Sequence, residues 1–367
     1  MGIQSIEVHS VVLRYHEPFR IAPSTTLESN NIVVKIQTDF DIVGIGECSP
    51  SLRVTQETPQ TVLTTLDKIA PRLIGMCPLR IEQDIEVMDE LVKGNPSAKA
   101  GVDIALHDIF GKTAGKPLFR VMGGYRDEVL TDLTLSIKKP KEMAEDAVKA
   151  VERGFKALKV KVGVDPKEDV ERIKQIRKAI GSDTAIRIDA NQGWTVKQAI
   201  ETLNKLQPFE IEFVEQPVQA EDAKGLAKVK QHSPIPVMAD ESVHTASDLL
   251  RLIKEDAVDL INIKLMKTGG IWKARKLVAI AEAAHIPCMI GCMGESTIGI
   301  TAGVHLGAAL KNIRYADLDS DILIRDKLVT EGGAILEKSE RIPTEASGLG
   351  IAKLNGKLLG KPVKTYK

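Results

Sequence analysis

The chain has 367 residues, of which 43% are apolar, so it is long for one compact domain and has ample material for a large core. Basic and acidic residues number 50 each, and a net charge of zero argues against nucleic-acid or anionic-membrane partners, which need clustered positive charge. The four cysteines form no CxxC pair and no secretory signal is visible, so we expect a cytoplasmic protein with reduced thiols.

Residues 1–125 predict a separate α+β domain. Residues 3–14 and 31–47 alternate between apolar and polar side chains, which is typical of antiparallel strands. The segments 19–30 (FRIAPSTTLESN) and 48–59 (CSPSLRVTQETP) are rich in turn-forming residues and predict loops of functional length. Three helical segments are predicted at about 58–73, 79–93 and 97–114.

Residues 126–322 alternate regularly between strands and helices, which predicts a parallel sheet that closes into a barrel. Residues 323–367 consist of turns and short strands, and we expect this tail to pack back onto the N-terminal domain. The predicted barrel strands are VLTDLTLSI (129–137), ALKVKVG (157–163), AIRIDANQGW (185–194), EFVEQP (212–217), PVMADES (236–242), DLINIKLMK (259–267), IPCMIGCMG (286–294) and RYADLDSDI (314–322).

Charged residues stand near the ends of five successive predicted strands, about one βα unit apart. In a barrel the C-terminal strand ends meet at one mouth, where catalytic groups gather. Three carboxylates at that mouth suit Mg²⁺, which prefers oxygen ligands, whereas zinc would need His or Cys ligands that these strand ends lack. The charged residues are Lys159, Lys161, Asp189, Glu215, Asp240 and Lys264.

The lysines predict proton transfer. A lysine acts as a base only if its pKa falls toward neutrality, and a neighbouring ammonium lowers it. Lys159 and Lys161 share one strand face, so we expect each to lower the pKa of the other. Lys264 lies four strands further on, roughly opposite in a ring of eight. Two bases that flank one carbon can remove a proton from one face and return it on the other, which inverts the stereocentre.

The motifs KVKVG, DANQGW, EQP, ADES and INIKLMKTGG resemble the enolase superfamily, in particular its muconate-lactonizing-enzyme subgroup. The resemblance implies a (β/α)7β modified TIM barrel under an α+β capping domain built from both ends of the chain, one Mg²⁺ per subunit and a homo-oligomer. It implies that Lys161 and Lys264 are paired acid/bases and that Lys159 assists at the substrate carboxylate. The metal ligands that it implies are Asp189, Glu215 and Asp240.

Within the subgroup, Asp317-Leu318-Asp319 and the run IGCMGEST (290–297) are similar to the dipeptide epimerases. A carboxylate pair would bind the ammonium of a dipeptide, whereas muconate and succinylbenzoate carry no cation and would be repelled. The resemblance also implies substrate contacts from Thr134 and from the backbone around Cys292 and Gly294. The implied enzyme is an isomerase that inverts the C-terminal Cα of an L-Ala-L-Xaa dipeptide by proton transfer through an enediolate.

One position departs from this pattern. Epimerases that prefer a Glu side chain carry an arginine in the loop corresponding to FRIAPST, and alignment without gaps puts Ser24 there. Arg20 and Arg53 are close in sequence and could replace it. We therefore predict that Xaa is uncharged or hydrophobic and that Ser24 and Arg53 help to bind the substrate. The alternative is an L-Ala-D/L-Glu epimerase of murein-peptide metabolism.

Three further alternatives stay open. A cycloisomerase, an o-succinylbenzoate synthase or an N-succinylamino acid racemase would come from the same subgroup, and a lyase or cycloisomerase needs only one lysine. An aldolase would use Lys161 or Lys264 as a Schiff-base nucleophile on an ordinary barrel. A binding protein could keep the fold without catalysis.

Overall fold

The computed structural model describes residues 1–22 and 24–367. Within these ranges no helix combines the length and the apolar content that a membrane crossing requires. The capping region begins with an antiparallel sheet, and helices follow it, as the sequence predicts. Its elements are β1 (Ile3–Ile21), β2 (Ser24–Thr38), β3 (Val43–Cys48), α1 (Pro59–Leu73), α2 (Ile81–Leu91), α3 (Pro96–Thr113) and α4 (Leu118–Met122).

The predicted loop at residues 19–30 is wrong for the described residues, because β1 and β2 continue through it as a two-stranded ribbon. Phe19 pairs with Thr26, and Ile21 pairs with Ser24. Consecutive threonines fit an extended strand better than a loop, since β-branched side chains pack well on a pleated surface. Pro23, which belongs to the predicted loop, lies outside the described residues. The loop predicted at 48–59 does join β3 to α1 without regular structure.

The sheet of the cap packs on α3 through glycines. A Cβ added to Gly46 would lie 1.9 Å from the carbonyl oxygen of Gly101, and one added to Gly44 would lie 2.1 Å from that of Ala105. Real side chains never approach a backbone that closely, so β3 and α3 are in backbone contact. This contact is sequence-specific because any residue with a Cβ would separate the strand from the helix.

We therefore expect Gly46→Ala to lower the free energy of unfolding by about 3 kcal/mol, since the added methyl has no space and the backbone on both sides is fixed. Urea denaturation followed by circular dichroism measures the change. Gly356→Ala is the control, because no atom lies within 4 Å of the added Cβ there, and a change below about 0.5 kcal/mol is expected. Equal effects of the two substitutions would show that the close packing does not matter.

The barrel follows, with its strands and helices alternating from β5 to β12. A short 3-10 turn at Gln207–Phe209 precedes β8. The elements are β4 (Val129–Leu130), β5 (Leu133–Leu135), α5 (Pro140–Glu152), β6 (Ala157–Lys161), α6 (Pro166–Ile180), β7 (Ala185–Asp189), α7 (Val196–Leu206), β8 (Ile211–Glu215), α8 (Ala223–His232), β9 (Val237–Ala239), α9 (Ala246–Lys254), β10 (Leu260–Lys264), α10 (Leu265–Thr268), α11 (Ile271–Ala283), β11 (Cys288–Gly291), α12 (Thr297–Ala309), β12 (Ile313–Asp317) and α13 (Ser320–Leu323).

Strands β5 to β12 are parallel and hydrogen-bonded in sequence order. The ring is nearly closed by a bridge between Thr131 and Ala316, where the Asp132 amide donates to the Ala316 carbonyl oxygen at 3.2 Å. After β12 the helix α13 has only four residues, so the eighth helix of a complete barrel is missing from the described chain. The predicted (β/α)7β barrel with an α+β cap is confirmed.

The first predicted barrel strand, 129–137, is split in two. Only β5 belongs to the barrel, while β4 pairs antiparallel with a strand of the C-terminal tail. That tail contains β13 (Val329–Gly332), β14 (Ile335–Glu337), β15 (Glu340–Ile342), β16 (Ile351–Leu354), α14 (Gly356–Leu359) and β17 (Lys364–Tyr366).

The tail contacts both parts of the molecule. β17 adds to the cap sheet beside β1, with Ile6 opposite Tyr366, as the sequence predicts. β15 instead lies against the barrel, where the buried Arg341 donates to the Leu318 carbonyl oxygen at 2.9 Å and pairs with Asp321. The predicted boundaries, 125/126 and 322/323, stay predictions.

Candidate active site

The mouth of the barrel collects the charged residues that the sequence places at its strand ends. All are buried: Lys159, Lys161, Asp189, Glu215, Asp240 and Lys264. The parallel register sets Lys161 beside Asp189, and Asp189 beside Glu215. Buried ionised groups are tolerated only when they are paired or bind a metal. The burial of this cluster must therefore be compensated by ion pairs within it or by a metal ion.

The two lysines predicted as acid/bases stand on different sides of the mouth. Lys161 ends β6 and its Nζ lies 2.6 Å from Asp189 Oδ2. Lys264 ends β10 and its Nζ lies 2.8 Å from Asp240 Oδ2. Strands β6 and β10 are four apart in the sheet order, which puts them opposite each other in a barrel of eight. The ammonium groups thus approach the carboxylates from two sides.

Lys159 forms ion pairs with three carboxylates of the site. Its Nζ lies 2.7 Å from Asp317 Oδ2, 2.7 Å from Glu215 Oε2 and 3.1 Å from Asp189 Oδ2. Burial alone lowers the pKa of Lys159, but the carboxylates, Asp317 first, raise it well above its ordinary value. The net shift of the Lys159 pKa is therefore upward, because three acidic neighbours dominate, and the mutual lowering predicted for Lys159 and Lys161 stays a prediction.

The same opposition of burial and charge acts on the other groups. Burial lowers the pKa of Lys264, yet Asp240 and more distant carboxylates raise it overall. Burial raises the pKa of Asp189, but the ammoniums of Lys161 and Lys159 bring it down to about 2. Burial and the charge of Asp189 raise the pKa of Glu215 to about 8. A divalent cation beside these carboxylates would remove much of the field that raises the pKa values of Lys159 and Lys264.

Buried oxygen atoms at this rim fit a hard cation. Asn191 Oδ1 and Glu241 Oε2 are buried and have no hydrogen bond to any described residue, whereas the buried Glu215 Oε2 is paired with the Lys159 ammonium at 2.7 Å. Unsatisfied buried oxygens are rare and need an explanation. Mg²⁺ takes six oxygen ligands, including carboxylates and water, so the donor set suits it.

Another group of donors is more tightly clustered. Among residues 1–22 and 24–367, the acidic and thiol donor atoms that lie within 4.8 Å of one another belong to Cys292, Asp317 and Asp319. Burial raises the pKa of the Cys292 thiol well above its ordinary value, so it is protonated and a poor metal ligand. Asp317 is paired with Lys159. We therefore keep the predicted triad of Asp189, Glu215 and Asp240 as the candidate metal site.

Two cavities lead to the cluster. The larger, about 840 Å³, lies between cap and barrel, and Lys161, Asp240 and Lys264 line its floor. A smaller one of about 50 Å³ adjoins it beside Lys159. The predicted substrate-binding residues that line the larger cavity are Ser24, Arg53, Cys292 and Gly294. Those that line the smaller cavity are Thr134, Lys159, Cys292, Asp317 and Asp319. The structure therefore brings all the predicted site residues together, and their roles stay predictions.

The structure settles the location of the two arginines. Arg53 lines the larger cavity, whereas Arg20 is not among the described residues that line it. The backbone of Arg20 instead bonds to Ser136, with the Arg20 amide 2.6 Å from the serine hydroxyl.

Sequence reasoning missed two residues beneath the cluster. The Lys267 ammonium is fully buried and donates to Asp240 Oδ1 and to the Asp240 carbonyl oxygen, each at 2.5 Å. Asn262 Nδ2 donates to Glu215 Oε1 at 2.8 Å. Asn262 could have been found, because it precedes Lys264 by two residues and so shares its strand face. Lys267 lies in the short helix α10, whose position depends on tertiary packing.

Comparison with known proteins identifies the family of this chain. The family model "Mandelate racemase / muconate lactonizing enzyme, N-terminal domain" matches residues 3–123, and "Enolase C-terminal domain-like" matches residues 142–354. A hydrophobic dipeptide epimerase of Enterococcus faecalis is 44% identical over 96% of this chain and 100% of its own length. An L-Ala-D/L-Glu epimerase of Clostridium acetobutylicum is 43% identical over 97% of this chain and 100% of its own.

A solved structure extends the comparison to three dimensions. The crystal structure of the dipeptide epimerase from Enterococcus faecalis, complexed with Mg and the dipeptide L-Leu-L-Tyr, matches with a TM-score of 0.94 at 44% identity. The match covers 96% of this chain and 100% of that chain.

Proposed function

Because the chain belongs to the mandelate racemase and muconate lactonizing enzyme family of the enolase superfamily, we propose that it is a Mg²⁺-dependent dipeptide epimerase. It inverts the Cα of the C-terminal residue of an L-Ala-L-Xaa type dipeptide. The observation that carries this proposal is the placement of Lys161 and Lys264 on opposite sides of one buried carboxylate cluster. A single-base reaction would need only one of them.

Each residue of the candidate active site is assigned a separate role in the reaction. Lys161 and Lys264 remove the Cα proton from one face of the substrate and deliver a proton to the other. Asp189, Glu215 and Asp240 would hold the Mg²⁺, which supplies positive charge beside the substrate carboxylate as the Cα proton leaves. Lys159 adds a second positive charge on the same side. Lys267 is a positioning residue, because its two hydrogen bonds fix the orientation of Asp240.

The amino end of the substrate fits Asp319. This buried carboxylate accepts a hydrogen bond from the Thr134 amide at 2.6 Å, but it forms no ion pair with any described residue. Its neighbour Asp317 is already neutralised by Lys159. An unpaired buried carboxylate is costly, and the ammonium of a dipeptide would compensate it through charge-assisted hydrogen bonds.

The side chain of Xaa is proposed to be uncharged. The wall of the larger cavity is contributed in part by Phe19, Ile21, Leu52 and Met293, and Ser24 stands where acidic-specific relatives are expected to carry an arginine. Arg53 lines the same cavity and supports the second candidate, an L-Ala-D/L-Glu epimerase. The relative named for hydrophobic dipeptides favours the first reading, and the relative named for L-Ala-D/L-Glu favours the second.

Two further features complete the proposal. We propose a homo-oligomer, which is an expectation for the family. A cytoplasmic setting is supported by the cysteines, since Cys48, Cys77, Cys288 and Cys292 are all free thiols.

Incubation with dipeptides in D₂O tests the proposed function. Deuterium is expected to enter the C-terminal Cα of Ala-Leu or Ala-Phe at least about tenfold faster than that of Ala-Glu, because a substrate carboxylate would lose hydration in a largely uncharged wall. Mass spectrometry and proton NMR measure the exchange. N-acetyl-Ala-Leu is the control for the amino end and should exchange slowly, since it has no ammonium.

The variant Arg53→Met separates the two candidate substrates. We expect it to reduce exchange of Ala-Glu and to leave Ala-Leu unchanged. Preference of the wild type for Ala-Glu would establish the second candidate instead. Absence of exchange in every dipeptide of a broad library would remove the epimerase proposal altogether.

A further inference from the structure

The segment Cys292–Ser296, which follows β11, is held by side chains of the cap as well as by the barrel to which it belongs. Cys292 and Gly294 line the larger cavity, where the proposed function places substrate. Two side chains of the cap sheet form hydrogen bonds with this segment. They are Asn31 on β2 and Glu47 on β3, and both have an exposed fraction of 0%.

Asn31 joins the segment to the cap. Its Nδ2 donates to the Gly294 carbonyl oxygen at 2.8 Å and to Glu47 Oε1 at 2.8 Å. Its Oδ1 accepts a hydrogen bond from the Ser29 hydroxyl at 2.8 Å. The side-chain amide is thus orientated by partners on both sides. A Cβ added to Gly294 would lie 2.6 Å from that same Ser29 hydroxyl oxygen, so the cap and the segment are in close contact here.

Glu47 holds the other end of the segment. Its carboxylate accepts hydrogen bonds from the Ser296 amide at 2.9 Å, the Ser296 hydroxyl at 2.8 Å and the Gly299 amide at 2.9 Å. It makes no ion pair with a described residue, and its charge lies at the first turn of α12, where the helix dipole favours an anion. Burial raises the pKa of Glu47, and the hydrogen bonds from Ser296, Gly299 and Asn31 oppose this shift.

From these contacts we infer that Asn31 and Glu47 are positioning residues of the active site, which fix the backbone of Cys292–Gly294 against the bound substrate. The inference rests on the proposed function for the identity of the substrate. It makes the cap part of the binding apparatus, because the barrel segment that faces the substrate takes its position from β2 and β3. Without these two side chains the segment would keep the bond from the Met293 amide to Glu295 at 2.5 Å and the bond from the Ser320 hydroxyl to the Glu295 carbonyl oxygen at 2.7 Å, and neither of these involves Gly294.

Hydrogen–deuterium exchange of the variant Asn31→Ala tests the inference without any substrate. Asn31 donates to a carbonyl and a carboxylate, so its removal deletes no hydrogen bond of any amide in the segment. Faster exchange in a peptide spanning residues 292–299 would therefore report loosening of the backbone. An increase of about fivefold is expected, since the opening equilibrium shifts by the net value of about one buried hydrogen bond.

Asn312→Ala is the matched control. Asn312 is also buried and its Nδ2 donates to the Ile286 carbonyl oxygen at 2.9 Å, but it lies at the opposite end of β11. This variant should be destabilised to a similar degree with unchanged exchange at 292–299. Unchanged exchange in Asn31→Ala, or equal acceleration in both variants, would overturn the inference.

Steady-state kinetics with the best dipeptide provide the second measurement. Asn31→Ala and Glu47→Gln are expected to raise KM about tenfold and to change kcat by less than about threefold, because the segment contacts the substrate equally in the ground and transition states. A purely structural role would lower the melting temperature and leave KM unchanged. If the wild type epimerises no dipeptide, the proposed function fails, while the exchange measurement still decides whether Asn31 positions the segment.

Discussion

Replacing either Lys161 or Lys264 by alanine is expected to lower dipeptide epimerisation by at least about 10³-fold, since each supplies the acid/base group for one face of the substrate. The two variants should also differ from each other in isotope exchange. With L,L and L,D dipeptides tested separately in D₂O, each variant is expected to retain exchange only for the epimer whose proton faces the remaining lysine. Proton NMR of both epimers measures exchange and inversion together.

Lys197→Ala is the control for this pair, because the Lys197 side chain is 86% exposed and lies on a helix outside the barrel. It should keep the full rate. If one of the two active-site variants kept full turnover, the reaction would use a single base. That result would favour a lyase or cycloisomerase of the same subgroup over an epimerase.

Removal of divalent cations with EDTA is expected to abolish activity, and addition of Mg²⁺ to restore it. Without a cation, the charge that develops beside the substrate carboxylate is not stabilised, and the carboxylates of Asp189 and Asp240 hold Lys161 and Lys264 as ion pairs. Glu215→Gln should weaken Mg²⁺ binding by at least about tenfold, because it removes one anionic ligand from a hard cation. Isothermal titration calorimetry measures the affinity.

The same metal experiment distinguishes the aldolase alternative. A Schiff base between substrate and Lys161 or Lys264 would be trapped by borohydride and would need no cation. We expect complete sensitivity to EDTA and no trapped adduct by mass spectrometry. Full activity in EDTA together with a lysine adduct would contradict the metal-dependent mechanism.

The barrel and the candidate site could be predicted from the sequence because their signals are local. Each charged residue follows a short apolar run, and in a parallel barrel every such strand end points to the same mouth. Placing Asp189 beside Glu215 therefore needed only the order of the strands. Asp317 was found in the same way, since it ends the last strand, and Asp319 follows two residues later at the start of α13.

The contributions of the cap could not be predicted in this way. Asn31 contacts Gly294, and Glu47 contacts Ser296, across more than half of the chain. No periodicity in a single segment reports such a contact. The loop predicted at residues 19–30 was wrong for the described residues for a related reason. Its turn-forming residues suggest a loop, whereas strand formation there depends on pairing between β1 and β2.

The pairing of β17 with β1 has a consequence for how the molecule is made. Ile6 lies opposite Tyr366, and Tyr366 and Lys364 both contact Asp67 on α1. While the chain emerges from the ribosome, the barrel can assemble from residues already synthesised, but the outer edge of β1 remains without its neighbour. The cap sheet is therefore completed only after the whole barrel has been translated, so the outer edge of β1 is the last part of this sheet to be paired.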